Sequence, residues 1–224
     1  MITVHHLNNS RSQRILWLLE ELNIPYEIKF YHRDPQTMLA PPELKKIHPL
    51  GKSPVISDSQ GFVIAESGAI IEYILDNFEV GALNPPKRTK AAYAFSYWLH
   101  YAEGSAMPPL LLYLVFNRLP KGPIPFFLKP IVKLISDKVL KAYVNPQIKL
   151  HIDYIEGHLE KNLWFAGENF TAADIQMSFP LEAASTGIDF KNQYPKIENF
   201  LNRIHARTSY QAALKKGGSY DLLS

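Results

Sequence analysis

Over the first eighty residues the spacing of apolar positions changes period several times. Ile2–His6 (ITVHH) is a short, β-branched and apolar run that predicts a strand. Asn8, Asn9 and Ser10 supply a turn, and Ile15, Leu16, Leu18, Leu19 and Leu22 then recur at helical spacing up to Asn23. Pro25 stops that helix. Tyr26–Tyr31 (YEIKFY) alternates with period two, as a half-buried strand does. Pro41-Pro42 opens a short helical stretch through Ile47, and His48-Pro49-Leu50-Gly51 is turn chemistry. Pro54–Ser57 and Phe62–Ala65 read as two short strands joined by the hairpin Asp58–Gly61. Ser67 then begins a helix with Ile70, Ile71, Ile74 and Leu75 on its inner face.

The resulting order, β-α-β-α-β-β-α, predicts a mixed four-stranded sheet with helices on both faces, the thioredoxin-like arrangement. Glu79–Thr89 (EVGALNPPKRT) carries Gly, two prolines and clustered charge, and reads as an interdomain linker. Beyond it strand patterns vanish. Thr89–Met107, Phe126–Tyr143, Pro146–Leu159, Thr171–Ser185 and Lys196–Arg207 all read as helices. The expected organisation is an α/β unit over 1–79, a linker over 80–89 and an all-helical unit over 90–224. In Thr171-Ala172-Ala173-Asp174, Thr171 and Asp174 are spaced to cap one another, with Phe170 and Ile175 as a hydrophobic staple.

Composition narrows the chemistry. The 224 residues are 46% apolar and 20% charged, within the ordinary globular range, and contain no Cys. Disulfides, thiolate-bound metal and a cysteine nucleophile are therefore excluded. The start, MITVHHLNNSRSQR, has no apolar core of a signal peptide, and the longest apolar run, Ala106–Phe116, is 11 residues with two prolines. A cytoplasmic location is expected. The net charge of +3 is unevenly placed: seven Lys/Arg lie between Arg118 and Lys149, opposed only by Asp137. No P-loop, zinc-finger spacing or GxGxxG accompanies them, so a nucleic-acid partner is not expected. The Lys129, Lys133, Lys138, Lys141 stripe reads as a solvated face on a packed helix; the sharper alternative is peripheral contact with an anionic membrane.

Three short segments carry candidate chemistry. Gly51-Lys52-Ser53-Pro54 precedes a strand. Pro54 is either a cis proline that turns backbone groups outward toward a peptide-like ligand, or a trans proline protecting an edge. Glu66-Ser67 sits at a strand-to-helix junction. Ser67 is a candidate N-cap, the helix start suits an anion, and Glu66 suits an ammonium, so the pair fits an α-amino acid headgroup as well as a plain cap. Asn9-Ser10-Arg11 lies at the first such junction; Ser10 and Gln13 match a capping box, while a hydroxyl there also suits a bound thiolate. Tyr93, Tyr97 and Tyr101 share one helix face and read as core more readily than as a pocket.

Taken in this order, the segments SRSQRILWLLEEL, PPELKKIHPLGKSPV and AESGAIIEYIL resemble the cytosolic-type glutathione S-transferases, closest to the bacterial and fungal group. The likeness runs from near the start to about Arg207. It implies a thiolate-stabilising transferase acting on small apolar electrophiles, with glutathione as co-substrate, no metal, and a homodimeric state. Glutathione-dependent peroxide reduction is a related expectation, and a non-catalytic binding or assembly module is the alternative. By the same resemblance Glu66 and Ser67 bind the γ-glutamyl end, Ser53 before a cis Pro54 meets the cysteinyl unit, and Lys52 neutralises the glycyl carboxylate. Ser10 is the expected thiol-activating residue, with Asn9 and Arg11 as competitors. The electrophile is expected beside Tyr97, Tyr101, Ser105 and Met107.

Overall fold

The computed structural model describes residues 1–78, 81–218 and 220. Glu79 and Val80, on which the expected end of the α/β unit and start of the linker fall, lie outside them, as do Ser219 and the last four residues.

Strand β1 (Ile2–Leu7), helix α1 (Ser12–Glu21) and β2 (Tyr26–Tyr31) form a crossover unit in which β1 and β2 pair in parallel, Ile2 opposite Tyr26 and Leu7 opposite Tyr31. Strand β3 (Val55–Asp58) runs antiparallel to β1, and β4 (Val63–Ala65) antiparallel to β3, giving the sheet order β2-β1-β3-β4. Helix α2 (Ser67–Asn77) closes the unit. The predicted sheet is thus present. The stretch after Pro41 is a 3-10 helix, Pro42–Lys46, rather than an α-helix. Its two leading prolines and the Pro49 turn leave too few backbone donors for α-helical pairing.

The rest is helical: α3 (Lys90–Tyr101), α4 (Met107–Arg118), α5 (Lys129–Val139), α6 (Asn145–Leu159), α7 (Ala172–Ser185), the short α8 (Phe190–Gln193), α9 (Pro195–His205) and α10 (Thr208–Gly217). Thr89 caps α3, accepting from the Ala92 N–H at 3.1 Å. The helix expected to stop at Met107 instead continues through a π turn, Ala102–Ala106, into α4. Pro108 and Pro109 sit in the first turn of α4, where a missing N–H is tolerated. A second π turn, Leu140–Val144, joins α5 to α6, so the two helices expected separately there are one interrupted rod.

The two halves share one core. Trp17, 1% exposed, reaches from α1 to lie edge-on to Tyr210 of α10 at 5.0 Å between centroids. Gly217 lets α10 seat on α1: a Cβ there would lie 2.6 Å from Gln13 Oε1 and 2.9 Å from Leu16 Cδ1. Helix α7 passes through the middle. The capping box at its start is present, and the Asp174 carboxylate accepts from the Thr171 N–H (2.7 Å), the Thr171 hydroxyl (3.0 Å) and the Phe165 N–H (2.8 Å). Phe170, the expected staple partner, stacks obliquely on Trp17 and edge-on to Trp164.

Pro180 interrupts α7 internally and removes the N–H that would bond the carbonyl four residues earlier, that of Gln176. The Arg14 guanidinium takes that acceptor, Nη1 to Gln176 O at 2.6 Å. A helix defect in one half is thereby filled by an arginine from the other.

Candidate functional site

A cleft of about 1040 Å³ lies between the sheet unit and the helices. One wall is polar and comes from loops at the strand ends: Asn9, Arg11, Arg33, Lys52, Ser53 and Glu66. The other is mostly apolar and comes from α4 and α7: Met107, Leu110, Leu111, Leu114 and Phe179. Five cationic residues, Arg11, Arg33, Lys52, Arg118 and Lys149, line it against two acids, Glu66 and Glu103. Such a field favours a ligand of net negative charge.

The Ser53–Pro54 peptide bond is cis, settling the alternative that the sequence left open. Ser53 Oγ donates to the His5 carbonyl at 3.1 Å. The turn before it depends on Gly51, whose φ of 58° lies in the left-handed region and where a Cβ would come within 2.7 Å of Lys45 Cγ. Lys52 is exposed at the cleft edge.

Glu66 adopts φ 71°, unusual for a side-chain-bearing residue, and is the N-cap position of α2. Ser67 was expected as the cap but is the first helical residue. Its hydroxyl faces inward, accepting from Arg14 Nη2 at 2.8 Å and Gln176 Nε2 at 3.3 Å. Glu66 therefore lines the cleft while the Ser67 side chain is buried behind it.

The first junction is also rearranged. Helix α1 starts at Ser12 with Arg11 as N-cap and no capping side chain, because Asn9 turns with φ 49° and displaces the start past Ser10. The expected Ser10–Gln13 box is absent. Instead Ser10 Oγ accepts from the Ser12 N–H at 3.2 Å and belongs to a file of polar groups. His6 Nδ1 lies 2.9 Å from Ser12 Oγ, Ser12 Oγ 2.8 Å from Ser10 Oγ, and Ser10 Oγ 3.4 Å from Ser53 Oγ. Burial holds His6 below its usual value, reinforced by His32 and opposed by the Gly217 backbone, so its ring is neutral at pH 7. Ser10 is buried; Asn9 and Arg11 form the cleft surface in front of it.

Arg11 does not present a free charge. Its Nε lies 2.9 Å from each Glu103 oxygen, and Glu103 also receives Arg14. Burial alone would raise the Glu103 carboxyl, but Arg14 and Arg11 outweigh it and hold the group below its ordinary range. The Phe179 ring lies beneath both guanidinium groups, at 4.9 and 5.2 Å. Glu103 enters from the π turn, the kind of helix irregularity that re-aims a side chain into a site.

Sequence reading missed three residues here. Glu103 sits 92 positions from Arg11 and has no local signature. Arg33 donates to the Asn8, Asn9 and Met38 carbonyls, fixing the turn that carries Asn9. Arg14 carried a signal: one arginine within the apolar run that forms the buried face of α1. Of the residues expected beside an electrophile, Met107 lines the cleft and the others do not. Tyr101 is core, its hydroxyl 2.6 Å from His151 Nδ1; Tyr97 is exposed; Ser105 is half-buried outside the lining. All three lie before or within the π turn, which rotates the helix so that α4 rather than α3 faces the cleft. Among the described residues, no group of three or more His, Asp or Glu is placed to hold a metal ion.

The N-terminal domain model of the glutathione S-transferases matches residues 10–77, and the C-terminal domain model matches residues 119–208. The chain belongs to the glutathione S-transferase family. It is 36% identical to glutathione S-transferase 1 of Saccharomyces cerevisiae, over 96% of this chain and 95% of that one. It is 38% identical to glutathione S-transferase 3 of Schizosaccharomyces pombe, over 96% and 88%. A solved glutathione S-transferase from Actinobacillus pleuropneumoniae superposes with a TM-score of 0.82 at 38% identity, covering 99% of this chain and 95% of that one. The bacterial and fungal resemblance read from the three segments is thus confirmed, and the transferase is an enzyme rather than a non-catalytic module.

Proposed function

We propose that this glutathione S-transferase binds the tripeptide along the polar wall and holds its sulfur, as thiolate, toward the apolar wall. The observation that carries the reading is the division of one cleft into a cationic, peptide-like edge and an aliphatic face. The cysteinyl backbone pairs with Ser53 beside the cis Pro54, as an added strand would. Lys52 neutralises the glycyl carboxylate, Glu66 receives the ammonium, and the N–H groups opening α2 at Ser67 receive the γ-glutamyl carboxylate.

Ser10 is the thiol-activating group in this reading. Ser12 and His6 fix its hydroxyl, and the start of α1 adds a favourable dipole. Arg11 is set aside because Glu103 compensates its charge; Asn9, on the cleft surface, is the alternative donor. The thiolate attacks an electrophilic carbon held against Met107, Leu110 and Leu114. A carbon–sulfur bond forms, the leaving group departs with its electron pair, and the thiol proton passes to solvent. Conjugation of small apolar electrophiles by a cytoplasmic homodimer is the expected role, with organic peroxides as a second substrate class.

The decisive experiment is a pH titration of the thiolate absorbance of bound glutathione. The parent is expected to ionise it below the free-thiol value of about 8.5. Ser10→Ala returns the midpoint toward that value and lowers kcat at neutral pH by about 10²-fold or more. An unchanged midpoint in Ser10→Ala with a shifted one in Asn9→Ala assigns the role to Asn9. Normal retention of Glu66→Ala on immobilised glutathione overturns the headgroup assignment.

A further inference from the structure

Helix α4 borders the cleft with a single stripe. Met107, Leu111, Leu114 and Arg118 all line it, and at about 100° per residue they fall within an arc of about 60°. Three apolar side chains are thus followed, on one face, by a guanidinium about 6 Å of helix rise beyond Leu114. On the opposite wall stands Arg33, which donates to the Asn8, Asn9 and Met38 carbonyls. Carbonyls orient that guanidinium without neutralising it. Burial, and then the like charges of Arg11 and Arg118, hold Arg33 below its ordinary value, so the three arginines share one field.

The acids nearby do not balance that field. Glu103 is shared between Arg11 and Arg14, and Asp34, beside Arg33, accepts from the Gln36 and Thr37 N–H groups instead. Among the described residues no carboxylate lies within ion-pair distance of Arg33 or Arg118. A cation in a last helical turn ordinarily answers the helix dipole, but that role does not require a second arginine facing it across a cleft. The tripeptide uses neither group, since Lys52 and the start of α2 take its carboxylates and Glu66 its ammonium. We propose that Arg118, with Arg33, binds an anionic group on the electrophile, so that the second substrate is an apolar body ending in a carboxylate. The inference rests on glutathione lying along the polar wall. The apolar body then lies along Met107, Leu111 and Leu114, and the carboxylate meets the guanidinium donors and relieves the repulsion between them. It keeps its charge throughout: sulfur bonds to the reacting carbon, and the leaving group departs from that carbon with its electron pair.

The test is calorimetric binding to the full-length protein of glutathione and of two preformed conjugates. In both, the sulfur carries an ortho-nitrophenyl ring, with a para-carboxylate in one and a para-carboxamide in the other. The parent is expected to bind the carboxylate conjugate about tenfold more tightly at low salt, a preference that shrinks as salt rises. Arg118→Gln lowers the preference by about threefold or more, and Arg118→Glu abolishes or inverts it, with glutathione itself bound as by the parent. Equal affinity of the two conjugates for the parent, or the parent's preference retained in both variants, overturns the proposal. So does an equal loss for glutathione and both conjugates in Arg118→Gln, which assigns the arginine to the tripeptide. Binding of neither glutathione nor a conjugate instead removes the placement of the tripeptide, and this proposal with it.

Discussion

Helices α7 and α5 have comparable lengths, 14 and 11 residues, and opposite surroundings. Every residue of α7 from Ala172 to Ala184 is buried, including Asp174, Gln176 and Glu182, whereas α5 buries only Ser136. Each polar group in α7 consequently needs a partner. Asp174 finds backbone and hydroxyl donors, and the Gln176 carbonyl finds Arg14. In α5 the lysines are left to solvent, and apolar side chains are exposed without a partner among the described residues. The first helix organises the interior; the second is shaped by what lies outside.

The largest effect that would sharpen this contrast comes from the α7 cap. Asp174→Ala leaves the Thr171 and Phe165 N–H groups buried without acceptors. It is expected to cost about 3–5 kcal/mol, read as a lowered denaturant midpoint with unchanged slope. A loss below about 1 kcal/mol would break the claim that α7 rests on its buried polar contacts.

A middle-sized effect concerns Glu103, which joins the two arginines nearest α7. Its carboxyl lies below the ordinary value of 4.5 in the folded state, so its contribution to stability is present above that value. It is lost as pH falls through the lower folded value. The stability difference between parent and Glu103→Gln is therefore expected to be constant near neutrality and to shrink on acidification below about 4.5. A difference that grows in acid would reverse the sign and remove the ion pair as its origin.

The smallest effect belongs to α5. Leu134→Ser is expected to change stability by less than about 0.5 kcal/mol in chemical denaturation, because no core packing is lost. A loss of 2 kcal/mol or more, on the order of a core truncation, would show that this face is covered in solution.

Much of the α/β unit was legible because its signals are local: periods of two and 3.6, prolines at element ends, and an Asp–Gly hairpin. The capping box at Thr171 was legible for the same reason. What escaped was non-local or disguised. Helix α4 hid behind Pro108-Pro109, since a proline pair at a helix start looks like one at a helix end. The hydroxyls of Ser10 and Ser67 have the spacing of caps, yet fold inward to Ser12 and Arg14, partners that only tertiary packing supplies. Glu103 is drawn to Arg11 and Arg14 from 92 and 89 positions further along the chain. The tyrosine stripe was placed on the right helix but the wrong side of the irregularity that follows it.

The π turn at Ala102–Ala106 carries one more lasting implication. A single extra residue per turn shifts everything downstream by about 100° around the rod axis. Excising Ser105 alone would leave composition and helix content nearly intact, yet would swing Met107, Leu110 and Leu114 off the cleft together. Tolerance of insertions and deletions along this rod should thus be lowest where the backbone is least regular, and a lineage that lost that one codon would have to rebuild its aliphatic wall from other positions.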